Sequence, residues 1–249
     1  MSVDFANTCA WLDLLFSKAS HDDGSVIAVS STRRKVIGAY GTDGDSLVAC
    51  AKRMNEQPGC YLKVNLMDAA AMKRRGPHVV GNREEVKSIV SIHCDVDAGK
   101  SSKYPARSTA LWAINQMPLP PTLIINSNGE EGGFHVYWCL KRPHRIKGDR
   151  EDIQRLSTAW QGELRKRLGG MLDNTSNIDR VLRCVGVPRQ DGGKVSCHTY
   201  NVDALYTLRD LSKAVTDGKA KNNETGRAHI HNQRCETALS EHSSSMAAV

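Results

Sequence analysis

The chain has 249 residues, 40 % of them hydrophobic and 24 % charged, which is ordinary for a globular protein able to bury a substantial core. No run of 18 or more apolar residues exists, which excludes a membrane-spanning helix, and the start lacks a basic segment leading into an apolar one, which argues against export. A net charge of +7 and a pI near 9.0 favour a polyanionic partner over a basic one.

Taken in chain order, Asp4 to Ala19 spaces Phe5, Trp11, Leu12, Leu14, Leu15 and Phe16 as a helix does. Ser25 to Ser31 reads as a strand followed by a basic turn, and Gly44 to Asn55 as a second helix. Gly59 to Leu66 reads as a strand, Asp68 to Arg75 as a short helix, and Gly76 to Glu84 as a loop rich in Gly, Pro and Asn. Ser88 to Gly99 (S-I-V-S-I-H-C-D-V-D-A-G) is the central strand, and Arg107 to Met117 a helix ending before Pro118. Pro121 to Asn126 and Phe134 to Leu140 are strands flanking the turn S-N-G-E-E-G-G. A long amphipathic helix runs from about Asp149 to Leu168, closed by Gly169-Gly170. Asp173 to Gln190 is mixed, Lys194 to Asn201 a strand, and Leu208 to Val215 a short helix. From about Asp217 the composition turns polar and predicts a disordered or peripheral tail.

Eight cysteines without a C-x-x-C pair indicate reduced thiols, neither a disulfide framework nor a zinc knuckle. Basic residues cluster at Arg33-Arg34-Lys35, Lys73-Arg74-Arg75, Lys141-Arg142 with Arg145 and Lys147, and Arg165-Lys166-Arg167. Four separated clusters suit a surface that tracks a phosphate backbone.

The chemistry concentrates in three places. Alternation along the central strand puts Val90, Ile92, Cys94 and Val96 on one face and His93, Asp95 and Asp97 on the other. Two carboxylates roughly 7 Å apart along a strand raise each other's pKa unless a cation sits between them. For hard oxygen donors that cation is Mg²⁺ or Mn²⁺; the alternative is a pair of solvated aspartates beside a turn. Second, Gly132-Gly133 lead into a strand that begins Phe134-His135, and free loop amides with an imidazole can hold a phosphate; the alternative is a strand histidine bonded to a neighbour. Third, Leu168 to Arg183 offers Asp173 and Asp179 as carboxylates and Arg180 and Arg183 as anion partners, or else a salt-bridged helix face.

The order of these pieces is a strand ending in D-x-D, a Ser and Gly turn before x-H in a strand, an acidic residue with R-V-L-R, and then a lysine. It resembles the archaeo-eukaryotic primase superfamily, specifically the primase-polymerase domains of plasmids and phages, over about residues 59–200. The resemblance implies an α+β fold: an RRM-like antiparallel sheet with flanking helices (86–216), an N-terminal α/β module packed on it (1–85), and the tail (217–249). It implies nucleotidyl transfer that makes primers or extends strands in plasmid or phage replication, on single-stranded DNA and with nucleoside triphosphates as substrates. By position, Asp95, Asp97 and Asp173 are then the catalytic carboxylates and ligands of two Mg²⁺ or Mn²⁺ ions, with Asp179 the alternative third ligand. Ser127, His135, Arg183 and Lys194 are the nucleotide contacts. The setting implied is the cytoplasm of a bacterial host, with a separate replicative helicase as partner.

Two departures bear on the nucleotide site. Glu130 and Glu131 enlarge the turn and add anions beside it, and Val185-Gly186-Val187-Pro188-Arg189-Gln190 stands where the family has a Pro-Gly-Thr-like turn. The second keeps open a catalytically inactive module that binds single-stranded nucleic acid. A metal-dependent nicking enzyme for replication or mobilisation needs two histidines flanking one apolar residue on a strand. The pair that fits is His229-Ile230-His231, inside the polar tail.

Overall fold

The computed structural model describes residues 3–30, 35–57, 59–99, 101–189 and 193–217; the predicted tail, Arg33-Arg34 and the pair His229 and His231 lie outside them. The order is α1 (Val3–Phe16), β1 (Val26–Ser30), β2 (Lys35–Tyr40), α2 (Gly44–Asn55), β3 (Cys60–Lys63), β4 (Leu66–Met67), α3 (Ala69–Arg75), β5 (Val86–Val96), α4 (Arg107–Asn115), β6 (Leu123–Asn126), β7 (Phe134–Arg145), α5 (Arg150–Arg167), β8 (Val181–Arg183), β9 (Ser196–Tyr200) and α6 (Leu208–Asp217). Two strands absent from the sequence-based expectation, β2 and β8, fill the basic turn after β1 and the mixed segment after α5. Six cysteines (Cys9, Cys50, Cys60, Cys94, Cys139 and Cys184) are free thiols.

All strand pairs are antiparallel and form two sheets, β4-β5-β7-β6-β9 and β2-β1-β3-β8. The expected modules 1–85 and 86–216 exchange strands: β4 joins the sheet of β5, and β8 joins β3. One face of the five-stranded sheet (Ile92, Cys94, Val96, Phe134, Val136, Trp138) is covered by α4, α5 and α6. Along α5 the buried positions Ile153, Trp160 and Leu164 recur at helical spacing. Trp160 meets Trp138 edge to face at 5.2 Å between centroids, an arrangement that adds about 0.5–1.5 kcal/mol to simple burial. The opposite face (Val90, Leu123, Ile125, Tyr137, Cys139) packs with α1, α2 and the residues Val26, Ala28, Cys60 and Leu62 of the four-stranded sheet. Trp11 of α1 reaches Tyr137 at 6.5 Å, nearly perpendicular.

Strict alternation fails at one point in the central strand. Ile89 and Ile92 share a face, whereas Val90 turns to the other, because the β5–β7 register shifts between Ile89 and Ser91. The cause is Asn65, buried after β3, whose Oδ1 accepts from both Val90 N (2.9 Å) and Ser91 N (3.2 Å). A side-chain acceptor thus replaces the ladder partner that a bulge removes. Past the bulge the alternation of Ile92, Cys94 and Val96 against His93 and Asp95 is as expected.

At the far end of this ladder the strands approach very closely. A Cβ on Gly133 would lie 2.1 Å from the carbonyl oxygen of Val96, so only glycine lets Phe134 pair with Val96 and His135 with Asp95. By contrast, a Cβ on Gly162, inside α5, would meet nothing within 4 Å. Gly133→Ala is therefore expected to cost about 1–3 kcal/mol, while Gly162→Ala adds up to about 1 kcal/mol. Urea midpoints of the two variants, moving in opposite directions, check this pair.

Candidate nucleotide site at the end of the central strand

The ladder from β5 to β7 fixes four polar side chains on one face. His93 pairs with Tyr137 and Asp95 with His135, so these four side chains point toward α1 and away from the helices on the other face. His93 and His135 are buried, while the Asp95 side chain keeps 20 % exposure at the strand end. His135 Nε2 stands 3.6 Å from Asp95 Oδ1. On the other carboxylate oxygen, Oδ2, Arg180 donates from Nη2 at 3.1 Å. Asp95 therefore bridges an imidazole of its own sheet and a guanidinium from the segment entering β8.

β8 brings the second arginine. Arg183 pairs with Tyr61 across the β3–β8 ladder, and its guanidinium lies 5.3 Å from the Tyr61 ring. It donates from Nη1 to the Ser127 carbonyl at 3.4 Å, tying β8 to the start of the glycine turn. The turn is closed by Ser127 N donating to Gly133 O at 3.0 Å. From outside, Arg107 at the start of α4 holds it in shape. Its guanidinium donates to Gly132 O and Asn126 Oδ1 and lies over the Phe134 ring at 4.1 Å.

Of the expected site residues, Asp95 thus lies against His135 and Arg183 against Ser127, and Asp97 follows on the residue after β5. Three others are engaged elsewhere. The Asp173 carboxylate, half exposed, lies 3.6 Å from Lys103 Nζ and accepts from Tyr104 Oη at 3.4 Å. That of Asp179 lies 3.5 Å from Nζ of Lys63, a buried lysine that also donates to Gly81 O at 3.1 Å. Burial lowers the Lys63 pKa, and Asp179 works against that shift. Lys194 reaches Asp4 of α1 at 2.9 Å and is 72 % exposed.

Among the described residues no three His, Cys, Asp or Glu side chains gather where one metal ion could hold them all. Asp95 and Asp97 are nonetheless donors of the kind a hard divalent ion takes. One or two carboxylates, completed by substrate phosphates and water, is the usual protein share for Mg²⁺. The residues fit an ion that arrives with a triphosphate better than an all-protein cage.

Arg180 is the site residue whose role sequence reasoning missed. It was visible as an anion partner, but the carboxylate it serves lies 85 positions earlier. Arg107 and Asn65 carried no signal beyond residue type.

Compared with protein-family models and with curated proteins, the sequence matches none. Solved structures do match. The AEP domain of the cyanophage S-2L primase-polymerase superposes with a TM-score of 0.53 at 18 % identity, covering 82 % of this chain and 94 % of that one. The chain has an archaeo-eukaryotic primase fold. A crystal structure of primase RepB' aligns with 97 % of this chain and 68 % of its own at a TM-score of 0.50 and 10 % identity. The catalytic domain of primase RepB' in complex with initiator DNA aligns at 0.49 and 10 % identity, over 87 % of this chain and all of that one. The expected α+β primase-polymerase core is what the strands and helices form; at these identities the likeness concerns the fold.

Burial pushes the pKa of both His93 and His135 down to about 4; Asp95 opposes this, while Arg180 on both and Arg183 on His135 reinforce it. Both imidazoles are thus neutral at pH 7. In the unfolded chain they return to the ordinary 6.5, so their contribution is complete above pH 6.5 and is lost as pH falls toward 4. In metal-free buffer the unfolding free energy is expected to fall over that window, each histidine adding up to about 1.4 kcal/mol per pH unit. His135→Gln should flatten the slope measured by denaturant titration; an unchanged slope would mean that His135 takes up protons equally in the folded and unfolded chain.

Proposed function

We propose that the chain is a primase-polymerase-type nucleotidyltransferase acting on single-stranded DNA, with nucleoside triphosphates as substrates. The observation that carries this reading is Asp95, held between neutral His135 and cationic Arg180 at the end of the central strand, with Arg183 anchored to the glycine turn. The fold it shares with a phage primase-polymerase domain supports it.

In this reading the 3′-hydroxyl of a growing strand attacks the α-phosphorus of the triphosphate and pyrophosphate leaves. Arg183 and Arg180 bind the triphosphate, whose charge competes with Asp95 for the Arg180 guanidinium. His135, neutral and buried, acts by orienting Asp95 and by excluding water behind it. Mg²⁺ or Mn²⁺ held by Asp95 and Asp97 would lower the pKa of the attacking hydroxyl and neutralise the phosphates. A second ion would need Asp173 or Asp179 to leave its lysine. The cytoplasm of a bacterial host and a separate helicase complete the reading, and both rest on the motif resemblance. An inactive binding module remains the second reading, favoured by the engagement of Lys194 and of both candidate third carboxylates away from Asp95.

Labelled nucleotide incorporation on a single-stranded template with Mg²⁺ or Mn²⁺ tests the proposal. The wild type is expected to synthesise. Asp95→Asn with Asp97→Asn should lose at least about 100-fold, with template binding by fluorescence anisotropy intact. Full synthesis by that double variant would refute the assignment, and a wild type that binds template without synthesis would favour the inactive module.

A further inference from the structure

The turn of the nucleotide site is braced by Arg107, and from there α4 runs outward. Its inner positions Ala110, Ala113 and Ile114 are fully buried against the five-stranded sheet. On its outer side Trp112 is 58 % exposed, the one aromatic among the large hydrophobic side chains left exposed in the described residues. The chain's other three tryptophans are at most 2 % exposed, so Trp112 is the indole that presents a π face to a ligand.

Its surroundings are cationic. Gln116, one helical turn after Trp112, accepts at its carbonyl from Arg167 Nε at 3.0 Å, which docks the basic end of α5 beside the same stretch of α4. Arg165, Lys166 and Arg167 end α5, and Glu163 neutralises part of this charge through Lys166 at 2.7 Å and Arg167 at 3.1 Å. Three cations against one carboxylate leave the cluster net positive. Trp112 lies five residues from Arg107, about 7.5 Å along the helix axis, so the exposed indole and the brace of the glycine turn belong to one short helix.

We infer that Trp112 and the basic end of α5 form a stacking platform for single-stranded nucleic acid, with one base on the indole and the backbone phosphates along Arg165, Lys166 and Arg167. An exposed aromatic interleaved with cations has the chemistry such strands need, since every base offers a π face and every linkage a charge. Duplex DNA, whose bases are already stacked, has no base to give it. The inference names the path of the template for the proposed function and rests on that reading, but it is read by binding and not by synthesis.

Because Trp11, Trp138 and Trp160 are buried, the tryptophan emission that a ligand can reach belongs to Trp112. Titration of the full chain with an oligo(dT) single strand is expected to quench that emission, with a duplex of equal length quenching far less. By anisotropy of a labelled strand, Trp112→Ala should bind at least about five-fold more weakly, Trp112→Phe within about two-fold of the wild type, and Lys166→Glu with a shallower salt dependence. Unchanged thermal melting of the variants separates this from misfolding. Equal binding by wild type and Trp112→Ala, equal quenching by duplex, or a Trp112→Ala phenotype confined to self-association in sedimentation would each overturn the platform. Loss of the platform with nucleotide incorporation intact leaves the proposed function standing, and quenching without incorporation leaves the platform standing alone.

Discussion

The carboxylate of Asp95 is shared between two parts of the molecule that the chain builds separately. One oxygen faces His135 on the neighbouring strand, and the other takes the Arg180 guanidinium from the segment that enters the smaller sheet. Everything that aims Asp95 is remote from it in sequence. Gly133 permits the close approach of the strand ends, Asn65 absorbs the extra residue of the bulge, and β8 carries the arginines back across. Each device is a backbone constraint, so the site is positioned by strands and only finished by side chains.

That arrangement sets the electrostatics. A carboxylate that is one-fifth exposed beside two buried imidazoles would itself tend to draw protons onto them; burial and the two arginines oppose this. The result is a site with the carboxylates of Asp95 and Asp97, two arginines, and neutral imidazoles behind them. Such a balance favours a polyanion with its own metal ion, because the ion satisfies the carboxylates while the phosphates take the arginines. The glycine turn, braced by Arg107 and closed by Ser127 onto Gly133, supplies a rigid rim on one side.

Much of this was legible in the sequence. The D-x-D at the end of a Val/Ile-rich strand and the Gly-Gly-x-His opening of another marked both strands and the faces that carry Asp95 and His135, because period-two patterning is local, whereas their pairing in one ladder is a finding of the structure. What failed was non-local. The face change at Val90 depends on Asn65, 25 residues away, and β8 is three residues long, too short to leave a pattern. Asp173 and Asp179 both have plausible spacing to Arg183, but spacing carries no direction, and Lys103 and Lys63 hold them elsewhere. Lys194 was expected to open its strand but lies two residues before β9, and its side chain finds Asp4 of the first helix. Burial of His135 was likewise invisible, since it depends on β8 and α1 lying over the ladder.

The central claim is that the end of the central strand receives a metal-bound triphosphate. Crystals grown with Mn²⁺ and a non-hydrolysable nucleoside triphosphate test it directly through the anomalous signal of the ion. The account predicts manganese at bonding distance, about 2 Å, from the carboxylates of Asp95 and Asp97, with the phosphates on Arg183 and Arg180 drawn off Asp95. Manganese and triphosphate bound elsewhere, with Arg180 still on Asp95, would contradict it.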